Sequence, residues 1–145
     1  MATQEKKGFA AKHPENTIPD ASIKAEIEKR LKGKDQLPCA VAFAVVKETA
    51  RFPKEVGQTA DLMGIRLSKC QLGLFGYSPE KKIVQPAEGI EPSLNEAITR
   101  ALTRGRLSCE SAWRIADTLG VSKMAVSAAC EAMNIKITAC QLGAF

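Results

Sequence analysis

The sequence predicts a mainly α-helical chain with short β-strands, arranged as two tandem three-helix units. Three observations predict it. The chain repeats itself at an offset of 70 residues. Its apolar residues fall at helical spacing between capping residues and glycines. Its aromatic content is 5% against an apolar share of 45%, which suits small helical cores of Ile, Leu, Val, Ala and Met.

The repeat is the strongest of these signals. Leu37–Phe75 superimposes on Leu107–Phe145 without a gap, and 11 of 39 positions are identical: Leu37/Leu107, Cys39/Cys109, Ala42/Ala112, Val56/Val126, Met63/Met133, Ile65/Ile135, Cys70/Cys140, Gln71/Gln141, Leu72/Leu142, Gly73/Gly143 and Phe75/Phe145. Weaker matches upstream, Glu26/Glu96 and Arg30/Arg100, extend the units to 22–77 and 92–145. Residues 1–21 lack periodicity and read as a flexible N-terminal arm. Residues 78–91, with Pro79, Pro86 and Gly89, read as a linker. The net charge of +5 divides as 0 in the arm, +4 in unit one, −1 in the linker and +2 in unit two. The excess therefore lies in the repeated units, which is compatible with a polyanionic partner.

In unit two, Ser93 and Glu96 have the spacing of a capping box, and Leu94, Ile98, Ala101 and Leu102 share one face of a first helix. Ser108 can cap a second helix with Ala112, Ile115, Ala116 and Leu119 inward, broken at Gly120. Ser122 caps a third, with Val126, Ala129, Cys130 and Met133 inward. Gly64 and Asn134, equivalent in the repeat, suit a left-handed helix end. Beyond them Ile65-Arg-Leu-Ser and Ile135-Lys-Ile-Thr alternate as short strands, with Gln36-Leu-Pro and Arg106-Leu-Ser as their partners.

Residues 112–131 resemble the helix-turn-helix signature of bacterial DNA-binding regulators: small Ala116 where helices touch, Gly120 at the turn, Val121 after it, and Val126, Ile115 and Leu119 in the core. The units are thus helix-turn-helix, or winged-helix-like, although unit two has no room for a third wing strand. The resemblance implies a transcriptional regulator that places helix 122–133, and in unit one helix 53–63, in the major groove of double-stranded DNA. It implies DNA contacts from Ser122, Lys123, Met124, Ser127, Ala128 and Glu131, and in unit one from Arg51, Lys54 and Gln58. Unit one departs from the pattern, with Val46 for the small residue, Thr49-Ala50 for Leu-Gly and Phe52-Pro53 for Ser-Lys. Its Gly57 costs a helix about 1 kcal/mol relative to Ala unless another backbone approaches closely.

Other function classes are weighed beside this one. A module of packed repeats that binds another copy of itself or another protein is the main alternative. Cys39, Cys70, Cys109 and Cys140 repeat in pairs and are the metal-ligating or redox-sensing candidates. The compact Cys-x-x-Cys knuckle is absent, so the expectation is buried thiols separated in two cores, with no cofactor. Cys130 reads as core. Gln71 and Gln141 are expected to bond to backbone at the strand ends. Arg100, Arg104 and Arg106 could grip phosphates or form a solvated face. His13 is the only histidine, and no nucleophile–base pair, phosphate loop or paired-carboxylate motif appears, so an enzyme is not expected. No apolar run approaches the roughly 18 residues that span a bilayer, and the polar start lacks a secretory pattern, which points to a cytoplasmic protein without a membrane partner.

Overall fold

A computed structural model describes residues 17–145. His13 and most of the N-terminal arm lie outside the described residues. The rest divides into two compact units, up to Lys69 and from Cys70 onward.

Unit one begins one residue before the expected start. Asp20 caps helix α1 (Ala21–Leu31) by accepting the Ile23 N–H at 2.9 Å, and Arg51 closes on the same carboxylate at 3.1 Å. That cap hydrogen bond, helped by Arg51, holds the Asp20 carboxyl below its usual range. Strand β1 (Gln36–Pro38) leads directly into α2 (Cys39–Thr49), followed by α3 (Pro53–Leu62) and strand β2 (Arg66–Ser68). Pro53 suits the first turn of α3, where its missing N–H removes no helical bond. The Glu55 carboxylate accepts the Phe52 N–H at 3.1 Å and supports the same turn. Ile23, Ile27, Leu37, Ala42, Val45, Val56 and Ala60 are fully buried and supply the core.

Unit two repeats the plan with α4 (Pro92–Ala101), β3 (Leu107–Ser108), α5 (Cys109–Leu119), α6 (Lys123–Ala132) and β4 (Ile137–Thr138). Two expected caps are present: Ser108 accepts from Ser111 N at 3.1 Å and Ser122 from Ala125 N at 3.0 Å. Gly120 takes the left-handed conformation at the end of α5, and Gly64 and Asn134 take it just past α3 and α6. The expected capping box at Ser93 does not form. Pro92 occupies the first helical turn, so Ser93 lies inside the helix and Glu91 takes the cap position without a side-chain bond.

The expected strand partners pair, and they pair in parallel. Leu37 faces Leu67 in unit one, and Leu107 faces Ile137 in unit two. Parallel pairing follows from the connection, because two helices intervene between the strands and return the chain in the same direction. Each ladder has two strands among the described residues, so neither unit carries a three-stranded wing.

The units do not coincide with the sequence repeat. The segment Cys70–Tyr77 closes the first repeat in sequence yet packs in unit two, where Leu72 is fully buried with Ile98, Leu107, Val126 and Ala129. The repeated Cys-Gln-Leu-Gly-x-Phe motif is a self-closing loop. Cys70 N–H donates to Phe75 O and Gly73 N–H to Cys70 O, and Cys140, Phe145 and Gly143 make the same two bonds. Gly73 and Gly143 have φ of 73° and 84°, which explains glycine there. The rings of Phe75 and Phe145 meet edge to face with centroids 6.0 Å apart.

Candidate nucleic-acid interface

Residues 78–91 are not a free linker. From Gly73 the chain runs along the side of α6 that faces away from α5 and the unit-two core. Ile83 and Val84 donate their N–H groups to Gly73 O at 2.9 and 3.2 Å, and Val84 is buried. Lys82 pairs with Glu131, and Ala87 N–H donates to Ala128 O at 3.0 Å. A Cβ added at Gly73 would sit 2.6 Å from Met124 Sδ, so strap and helix are in close contact.

This arrangement leaves little of the expected major-groove face exposed. Ser127 is 0% exposed and its hydroxyl has no hydrogen-bond partner among the described residues. Met124, Ala128 and Glu131 are half-buried, and each touches or pairs with the strap. Ser122 is exposed but its hydroxyl is engaged as the α6 cap. Lys123 is half-buried with Nζ 4.7 Å from the Trp113 ring centroid, a cation–π contact. In unit one Lys54 is exposed, Arg51 is exposed and paired with Asp20, and Gln58 is half-buried. Gly57 and Asp61 on the same helix are buried. Along α6 only Ala132 is exposed, so it is a central helix of its unit. The sequence carries a sign of this: from Met124 to Ala132 the one charged residue is Glu131, and a helix apolar or small on every side is a buried helix.

One arrangement of free cations recurs in both units, at the start of each ladder. Thr103 and Arg106 exchange two backbone hydrogen bonds, 2.8 and 3.0 Å, around Arg104 and Gly105, whose φ of 53° and 74° make a tight two-residue turn. In unit one Lys34 N–H donates to Leu31 O around Lys32 and Gly33, at φ of 50° and 88°. The second strand borders each turn, with Arg66 N–H on Asp35 O and Leu107 N–H on Lys136 O. Lys32, Lys34 and Arg66 thus share the starting end of the unit-one ladder, and Arg104, Arg106 and Lys136 the equivalent end of unit two. All six are exposed. None has a side-chain ion pair among the described residues, a property shared with exposed Lys24, Lys29, Lys47, Lys54 and Lys81 but not with Arg30, Arg51, Lys82, Arg100 and Arg114. Arg104 and Arg106 were legible as phosphate candidates. The lysine turn of unit one was hidden because its offset from the arginine turn is 72 residues, two out of step with the repeat.

The five cysteines are distributed one and four, with Cys39 in unit one and Cys70, Cys109, Cys130 and Cys140 in unit two. All are free and buried. Burial pushes the Cys70 and Cys109 thiols up, and Cys140 beside them adds like-charge repulsion against the thiolates. Gln141 bonds to sulfur, donating from Nε2 to Cys109 Sγ at 3.5 Å, rather than to backbone as expected. Among the described residues, no group of three or more ligating side chains is placed to hold a metal ion. No helix of the described residues is long and apolar enough to cross a membrane.

Comparison with protein-family models, curated proteins and solved structures finds no match.

Proposed function

We propose that the chain is a non-catalytic DNA-binding protein that grips duplex phosphates with the cationic ladder end of each unit, while α6 serves as structural core. The observation that carries this reading is the recurrence of one device: a basic-Gly-basic turn beside a basic strand residue, exposed and unpaired, at the same point of both units. Cations without protein partners are free to replace condensed counterions along a duplex, and the released counterions drive binding. The resemblance of residues 112–131 to bacterial regulators supports DNA as the polyanion and transcriptional regulation as the context. With α6 covered, sequence is read weakly, because phosphate contacts position a protein without distinguishing bases.

The test is fluorescence anisotropy on a labelled duplex, with the variants Arg104→Gln/Arg106→Gln and Lys32→Gln/Lys34→Gln set against Lys54→Gln. The ladder-end pairs each weaken binding and flatten its salt dependence, and the helix-start variant has the smaller effect. If Lys54→Gln has the largest effect, the helix-turn-helix contact is restored.

A second reading rests on Phe52, which is 75% exposed between Arg51 and Lys54. An exposed aromatic flanked by bases is a recurrent anchor for protein partners. It makes unit one a protein-interaction module, and Phe52→Ser would then abolish partner or self-association while leaving duplex affinity unchanged.

A further inference from the structure

In unit two the arginine turn does more than project charge. Arg104 and Arg106 stand over an open depression of about 560 Å³ whose other lining residues are Thr103, Ser108, Thr138 and Ala139. No acidic residue occurs in Thr103–Ser108 or Lys136–Ala139. The lining lacks aromatic and large apolar side chains, so it offers nothing for a base or a hydrocarbon to stack against. It offers two guanidiniums without ion pairs among the described residues, and the hydroxyls of Thr103 and Thr138. The Ser108 hydroxyl is already bound to Ser111, both as acceptor from its N–H and as donor to its Oγ, and contributes wall.

Unit one lacks this composition. The positions equivalent in sequence to the rest of that lining are Leu31, Pro38, Ser68 and Lys69, and Leu31 and Ser68 are buried. Its turn cations are lysines, which act as point charges, whereas arginine presents a planar fork that fits two phosphoryl oxygens at once.

We infer that this depression is a phosphoryl-binding site that takes the oxygens of one or two linked phosphoryl groups on Arg104 and Arg106, with Thr103 and Thr138 as hydroxyl donors. The inference rests on the reading of the ladder ends as phosphate-binding and gives unit two a selectivity that unit one does not have. A duplex backbone phosphate and a free small polyphosphate share this chemistry. Their competition for one pair of arginines would make the free anion an antagonist of DNA binding.

Isothermal titration of the full chain with inorganic pyrophosphate tests the site. The expected result is saturable binding near one equivalent with Kd below about 1 mM. Arg104→Gln/Arg106→Gln should weaken it tenfold or more, because charge-assisted hydrogen bonds to the phosphoryl oxygens are lost. Thr138→Val, which keeps shape and β-branching and so guards against a folding artefact, should weaken it about threefold. Lys32→Gln/Lys34→Gln should leave it unchanged. Displacement of bound pyrophosphate by an unlabelled duplex shows that both sources use the site. Saturable pyrophosphate binding that no duplex displaces assigns the site to free small anions and removes only the DNA reading of unit two. Absence of saturable pyrophosphate binding, or equal affinity in the double arginine variant, overturns the inference. Duplex binding through Lys32, Lys34 and Arg66 is measured independently of that outcome.

Discussion

Replacing Ser127 with Ala separates a covered α6 from a reading helix. In a reading helix this serine meets a base edge, and its loss harms DNA recognition without affecting the fold. In the structure its side chain is fully buried and its hydroxyl unpartnered among the described residues. An unmade buried hydrogen bond costs about 1–3 kcal/mol. Alanine is also the better helix former by about 0.5 kcal/mol. Against these gains stands the loss of the few contacts made by one oxygen, about 0.1–0.2 kcal/mol per atom pair. Ser127→Ala should therefore stabilise the chain by about 1–2 kcal/mol. Urea unfolding followed by circular dichroism would show a higher midpoint at an unchanged slope, and Tm would rise by roughly 2–8 °C. Duplex affinity should not change. A loss of stability of 1 kcal/mol or more, or a loss of DNA affinity at unchanged stability, would refute the buried placement.

Three further outcomes follow from the same packing. Gly73→Ala should cost about 2 kcal/mol, because a left-handed φ is compounded by close approach to Met124 and Val84, whereas Gly143→Ala, with open space around it, should cost only about 1 kcal/mol. Denaturant titrations of the two variants compare them directly. Lys123→Ala should lower stability by about 0.5–1 kcal/mol through loss of the Trp113 contact, with no change in the salt slope of duplex binding. Burial raises the Cys130 thiol from 9.0 to about 11, so above pH 9 the unfolded chain releases a proton that the folded chain retains. Stability should then fall between pH 9 and pH 11, and Cys130→Ala should make that fall shallower in a pH series of urea melts.

Much of the fold was written in short-range chemistry. Ser108, Ser122 and Gly120 act within four residues of themselves, and the paired left-handed ends at Gly64 and Asn134 fix where the third helices stop. Strand partners were legible because each short alternating run had one counterpart in its own unit. What failed was long-range. Ser93 had the spacing of a cap, but the neighbouring Pro92 moved the helix start. Residues 78–91 show no periodicity, and an irregular segment carries no sign of the surface it covers. The helix-turn-helix pattern specifies which residues point inward between two helices and is silent on what lies on the other side. The candidate site moved accordingly, from a helix face identified by resemblance to basic turns that recur in both units.

The salt dependence of duplex binding tests the central claim most directly. For a protein that neutralises Z phosphates, the slope of log affinity against log salt is about −0.9Z. Removing the three cations of one ladder end, as in Arg104→Gln/Arg106→Gln/Lys136→Gln, should reduce the magnitude of that slope by about two to three units. These residues are exposed and outside the core, so the unfolding midpoint should stay within about 0.5 kcal/mol of the parent. A slope unchanged by this triple substitution, or a parent chain that binds no duplex even at low salt, would contradict the account.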